Sequence, residues 1–399
     1  MRFFILWCLV LASPLRGSEA FKQFEAAIKK YPQMRSLEAK LSAKEIQLNN
    51  TGLLPEPKIE AEISTESAIQ NRKFKPNIAL MQMLPSRGAR FFSKRAISKE
   101  GQIIELQMEV LARELLTESL LTWLKLEMNA RSKNLLQEDL VLLDFAGKAI
   151  SSHFRHHNYN LASVLRLQSQ KAEIEVKIKN LAQQREGDQS SLIRIFGTPF
   201  PEVSFPDELE LPTKGDLLEH PRARLYLKQI ELGVLNVEKA KISANPDFEL
   251  GVEYSPAQMT GGMGGSQDDF MLMFGMNLKL GRVRYQRLKQ EQVFKETSAR
   301  EDLKAWLLIQ QQRETQMKSE LNVSRNLLLN FEKTVIPNLE QALQSQRAGY
   351  QTSLEGPGEL ILVLRELLSA RWERLQAYYR GWVALIVLAD LYDQKLGVL

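Results

Sequence analysis

Few residues in this 399-residue chain belong to the types that do chemistry. Of its four histidines, three crowd together as His153, His156 and His157. Steps of three and four are the spacing by which one helix turn offers imidazoles to a metal ion. The same segment also reads as an exposed polar turn. That reading is preferred because no acidic residue is fixed nearby to orient the rings, so no metal site is assigned. His220 precedes Pro221 at a helix start and reads as structural. Cys8 is the only cysteine and lies in an N-terminal apolar run, which excludes a thiolate zinc site and any internal disulfide. Gly261-Gly262-Met263-Gly264-Gly265 leads into an alternating stretch rather than a helix, so it reads as a loop and not as a phosphate cradle. No nucleophile has a histidine partner outside residues 153–157. No enzyme and no cofactor are expected.

The elements that would position these residues are long helices. Pro85 and Pro199 bound a proline-free stretch. Within it Ile104, Met108, Leu111 and Leu115 step by four, three and four. Leu136, Leu140, Leu143, Gly147 and Ile150 follow the same heptad rule, which lets helices lie side by side. A second seam, Ile103, Leu106 and Val110, runs beside the first and calls for a second neighbour. Traced over 87–152, the helix has about 65 residues and a length of about 100 Å. A returning helix is expected over 160–196, with Asn160 as its cap.

Before the long helix, Ile59, Ala61 and Ile63 alternate with Lys58, Glu60 and Glu62. Ile78, Leu80, Gln82 and Leu84 resume the period of two, which predicts a hairpin over 57–85. The order then recurs. Tyr31-Pro32 is answered by His220-Pro221, and Glu56-Pro57 by Asn245-Pro246 at the same separation. A second hairpin is expected over 246–281, a second long helix over 282–350 with a kink at Pro337, and a second returning helix over 359–392. The first repeat therefore covers 21–198, opening with a helix read as Phe21–Leu54. The second covers 216–399, and a proline-rich connector fills 199–215. Residues 1–20 read as a secretory signal: Arg2, the apolar run Phe3–Ala12, and the small-x-small site Ser18-Glu19-Ala20.

Two hairpins cannot close a barrel, and open strand edges are not tolerated in lipid. Three chains give twelve strands, an even number in the range of outer-membrane barrels. The outward face would hold Ile59, Ile63, Phe248, Leu250, Val252, Leu272 and Phe274, and the lumen Glu60, Glu62, Glu249 and Glu253. The competing reading is a soluble periplasmic coiled-coil interaction protein; it explains neither the leader nor the strict alternation in both hairpins. Lys and Arg are interleaved with Asp and Glu at a net charge of +5, a pattern of solvated helix faces, and no nucleic-acid partner is expected. Arg87, Arg90, Lys94 and Arg95 follow the first hairpin, and Arg282, Arg284, Arg287 and Lys289 the second. Both clusters suit anionic lipid headgroups.

In this order and duplication, the sequence resembles the TolC-like outer-membrane efflux proteins over the whole mature chain. Leu54-Pro55-Glu56-Pro57, Asn245-Pro246, Pro85-Ser86-Arg87-Gly88, Leu280-Gly281-Arg282 and Val335-Ile336-Pro337 carry the resemblance. It implies an α+β membrane protein: a long antiparallel α-helical coiled-coil barrel, with four strands per chain entering a trimeric 12-stranded transmembrane β-barrel. It implies a homotrimer in the outer membrane, in contact with its lipids and extending into the periplasm. It also implies a periplasmic adaptor protein and an inner-membrane pump as partners, and a passive conduit for small molecules, drugs or metal ions. At the periplasmic tip, relatives carry an aromatic-x-x-Gly pattern followed by an acidic triplet. Phe154 fits the aromatic, His157 stands at the glycine, and Ser163 replaces the acid. In the second copy Tyr350 fits the aromatic, Ser353 stands at the glycine, and Glu359 fills the acidic position. Glu359 reads either as part of an acidic ring at the mouth or as a helix N-terminal acid favoured by the dipole.

Overall fold

The computed structural model describes residues 19–68, 71–154, 161–197, 205, 206, 208, 209, 212, 215–255, 269–279, 281–351 and 357–394. Residues 1–18, most of the expected leader, lie outside them. The described residues are mostly helical with one sheet. In order come α1 (Glu19–Lys30), α2 (Pro32–Asn50), β1 (Lys58–Ala68), β2 (Asn71–Leu84), α3 (Arg87–Phe154) and α4 (Leu161–Phe196). Then follow α5 (Pro221–Ile242), β3 (Asp247–Ser255), β4 (Asp269–Asn277), α6 (Arg282–Asn330), a π-helical turn (Phe331–Val335), α7 (Ile336–Gln351) and α8 (Pro357–Leu391).

The helix expected over Phe21–Leu54 is two helices. Pro32 has no N–H and takes the first position of α2, where none is needed. The Tyr31 N–H turns back to Ile28 O at 3.0 Å, and Arg35 N–H restarts the ladder on Tyr31 O at 3.1 Å. The second helix stops at Asn50, and Gly52, with φ of 99°, leads the chain out. At Pro337 the kink takes the form of a π turn. The Ile336 N–H donates to Phe331 O, five residues back. Pro337 offers Lys333 O no N–H, so the ladder must reset near this point in any case.

The contacts divide the chain into two compact units. One comprises residues 36–108 and 222–306 and holds the sheet. Here α2 lies along α3, with Leu41 against Gly101 and Lys44 paired to Glu100 at 2.6 Å. The Gly233 of α5 admits α6 closely: a Cβ there would stand 3.0 Å from Glu296 Cβ. Lys99 ties α3 to Glu231 of α5 at 2.6 Å. The Ser86 hydroxyl caps α3 by accepting from Ala89 N–H at 3.3 Å.

The other unit comprises residues up to 35, 109–221 and 307 onward. Its larger core gathers Leu120, Trp123 and Leu124 of α3, Leu192 of α4, Leu321 of α6, and Tyr378, Trp382, Leu385 and Leu388 of α8. Phe205 and Leu209, from the segment read as a proline-rich connector, are buried in it. The Tyr378 hydroxyl donates to Phe205 O at 3.1 Å, and the Trp382 indole N–H to Pro206 O at 3.1 Å. A second core joins Leu136 and Leu143 of α3, Leu167 and Ile174 of α4, Leu343 of α7, and Leu364 and Leu367 of α8. The heptad positions Leu115, Leu136 and Leu143 are all buried.

Candidate functional site: a sheet with two unlike faces

The four strands lie in the order β1-β2-β3-β4, antiparallel throughout. Directly paired residues of antiparallel strands share a face. One row is therefore Ile59, Leu80, Val252 and Leu272. The next is Ala61, Ile78, Tyr254 and Phe270, and below the first lie Leu250 and Phe274, then Leu84, Phe248 and Met276. Ile63 is paired with Pro76 and continues the same alternation. Of the outward-face residues proposed from sequence, Ile59, Phe248, Leu250, Val252, Leu272 and Phe274 thus fall on one face. It is exposed: Ile59 by 74%, Phe270 by 75%, Leu272 by 86% and Phe274 by 68%. An apolar patch of that extent in water marks a surface meant for lipid or for another protein.

The other face is built differently. Glu60 pairs with Ala79, which pairs with Glu253 and then Met271. Lys58, Met81, Gly251 and Met273 form the neighbouring row, and Met83, Glu249 and Gly275 the one below. The proposed lumen glutamates share this face. The four methionines beside them escaped the sequence reading, although the alternation of Met81 and Met83 with Leu80 and Gln82 places them there. At the foot of the sheet, Asp247 joins two strand ends. Its Oδ1 accepts from Ser86 N–H at 3.4 Å, and its Oδ2 pairs with Lys279 at 2.9 Å. Among the described residues β1 and β4 have a strand partner on one side only.

Of the basic clusters, Arg87, Arg90, Lys94 and Arg95 occupy the start of α3, with Arg95 5.4 Å from the Phe91 ring. Arg282, Arg284, Arg287 and Lys289 open α6. The tip residues are only partly within view. His156, His157 and Ser353 lie outside the described residues. Phe154 ends α3, with His153 just before it, while Ser163 stands in the first turn of α4 and Tyr350 in the last turn of α7. Glu359, exposed, lies in the first turn of α8, where an acid suits the helix dipole. His220 is buried directly before α5. Among the described residues no group of three or more His, Cys, Asp and Glu is placed to hold a metal ion.

Two further polar sites were invisible in the sequence. Arg113 donates to Asp390 Oδ1 and to Asp390 O, each at 2.9 Å, and also pairs with Asp393. It thereby fastens the end of α8 to α3. Asp139 is 3% exposed among leucines, and its Oδ1 accepts no hydrogen bond among the described residues. Burial pushes its carboxyl up to about 6, against the pull of Arg371. Both depend on residues far apart in the chain, which no local pattern reveals.

No protein-family model matches the sequence, and no curated protein does. Solved structures match over nearly the full length. The outer-membrane channel OprN is 15% identical, with 96% of this chain and 94% of that one covered and a TM-score of 0.75. The outer membrane protein VceC of Vibrio cholerae is 12% identical, with 94% and 96% covered and a TM-score of 0.76. The MtrE outer membrane channel of Neisseria gonorrhoeae, solved in its open state, is 12% identical, with 94% and 88% covered and a TM-score of 0.74. By element order, sheet and helices together, the chain has the fold of the TolC-like outer-membrane channels.

Proposed function

We propose that three copies of this chain form a passive exit duct in the outer membrane. The sheet's exposed apolar face carries the reading. Lipid is the environment that makes such a face favourable, and lipid forbids open edges. Joining β4 of one copy to β1 of the next, around a threefold axis, removes every edge and gives twelve strands. β1, β3 and β4, of 11, 9 and 9 residues, suit an outer-membrane span, and β2, of 14 residues, extends beyond it. The glutamate face then lines the lumen, and the basic starts of α3 and α6 meet anionic headgroups on the periplasmic side. The helices of the three copies make the periplasmic tube, each chain supplying two successive helix–hairpin–helix repeats. Its tip, near Phe154, Ser163, Tyr350 and Glu359, docks on a periplasmic adaptor and, through it, on an inner-membrane pump. The duct performs no chemistry and passes small molecules, drugs or metal ions, with energy supplied by the pump.

The test is fractionation followed by mass determination. The mature chain is expected in the outer-membrane fraction, extractable only with detergent, and to elute as a particle of three chains. A monomer recovered without detergent from the periplasm would replace this reading with that of a soluble coiled-coil protein.

A further inference from the structure

The polar face of a membrane barrel ordinarily carries polar and charged side chains. Here the register places four methionines on it: Met81 and Met83 from β2, Met271 and Met273 from β4. Two of them reach over the same residue. Met81 and Met273 stand on either side of Gly251 in one row. A Cβ on Gly251 would meet Met81 Cγ at 3.2 Å and Met273 Cε at 3.5 Å. Both atoms are bonded directly to their sulfurs, so the missing side chain leaves the space above the strand to the two thioether arms. Gly251 itself is buried beneath them. Met83 and Met271 lie one row to either side, and Glu249 and Glu253 flank Gly251 along β3.

We propose that this face is a thioether site for a soft monovalent cation, Cu(I) or Ag(I), on its way through the lumen. Thioether sulfur is a soft, neutral donor that selects Cu(I) over the hard cations of ordinary solution. The two flanking carboxylates raise the local concentration of cations without competing as ligands for a soft one. Met83 and Met271 supply further sulfurs one row away, so that a bound ion has a next site to move to. Binding and release alone are required; no bond in the protein is made or broken. The role in passage rests on the duct reading above, whereas the pair of sulfurs lies within a single chain.

The detergent-extracted mature chain, without the leader that carries Cys8, titrated calorimetrically with silver nitrate in chloride-free buffer, tests the site. The wild type is expected to bind Ag(I), and Met81→Leu/Met273→Leu to bind at least about tenfold more weakly, since leucine keeps the volume and removes the sulfur. Met276→Leu, on the apolar face, is the control and should bind as the wild type does. Circular dichroism and elution volume confirm that each variant is folded. Absence of Ag(I) binding in the wild type, or equal binding by the double variant, overturns the proposal. Binding is counted per chain, so a particle that is not a trimer would sink the duct reading and leave this result standing or falling by itself.

Discussion

The aromatic core around Trp382 and the hairpin sheet solve opposite problems with the same kinds of residue. Around Trp382 the leucines are closed off: Leu124, Leu192, Leu321 and Leu388 have no exposed surface. The polar tips of Tyr378 and Trp382 are satisfied by backbone carbonyls of the connector. In the sheet, Leu272, Phe270 and Phe274 are largely exposed, Phe270 and Phe274 meeting the rings of Tyr254 and Phe248 on the same face. The first region is complete within one chain and owes its stability to packing. On the duct reading, the second is complete only in lipid. A substitution in the first should therefore act on folding, and one in the second on where the folded chain resides.

The sharpest break in that contrast comes from Trp382→Ala. It empties a packed site and takes from Pro206 O the nearer of its two donors, leaving the Tyr378 hydroxyl at 3.3 Å, at a cost of about 3–5 kcal/mol. A lowered denaturation midpoint of the extracted protein checks it, and a midpoint unchanged would place the stabilising core elsewhere. Next comes Leu272→Arg, expected to cost about 2–4 kcal/mol if the residue faces mid-bilayer. The chain should then disappear from the outer-membrane fraction, while Glu253→Gln on the opposite face should leave its distribution as it was.

Smaller and opposite in sign is the effect of Asp139→Asn. In the folded protein burial raises this carboxyl from 3.8 to about 6, so the folded state holds the proton more tightly than the unfolded chain does. Its stability contribution is intact below about pH 4 and is lost as pH climbs through about 6. At pH 7.5 the asparagine variant should be more stable by about 1–3 kcal/mol, with the difference vanishing near pH 4. Denaturant midpoints at the two pH values read this directly. Least is expected of Glu359→Gln. As a dipole acid alone it contributes about 0.3–1 kcal/mol of stability. As a member of a ring at the mouth it would instead lower the cation preference of single channels, read as a shifted reversal potential with unchanged stability.

The same contrast explains what could be read in advance. The period of two survived in both hairpins because each strand has one apolar and one polar face. Ile59, Phe248, Leu272 and their neighbours were thus assigned a common face before any pairing was known. The four strands and the helical remainder followed from those patterns. The break at Tyr31 was passed over because the apolar spacing of Phe24 and Ile28 runs on toward Leu37, while one missing N–H at Pro32 decides the local geometry. Phe205 and Leu209 were read as connector because prolines dominate their composition. The burial of Phe205 depends on Tyr378 and Trp382, more than 170 residues away. The methionine row alternates as regularly as the leucines, but methionine is an apolar, adaptable side chain and by itself marks no polar face. For the tip, sequence correspondence was the sole guide, and His156, His157 and Ser353 lie outside the described residues.

The π turn at Phe331–Val335 has a further effect on the rod that contains it. A π turn holds one residue more than an α-turn, so the side chains after it stand about 100° back from where an uninterrupted α-helix of the same sequence would put them. Both sides of the bulge face α8: Glu320 of α6 pairs with Arg380, Glu332 of the bulge with Arg374, and Glu340 of α7 with Arg371. Removing a single residue between 331 and 335 would restore an uninterrupted α-helix and leave Leu343 in its core with Leu364, whereas forcing all five residues into α-helical geometry would turn it away. The bulge thus absorbs one surplus residue and keeps a long rod aimed at a single neighbour.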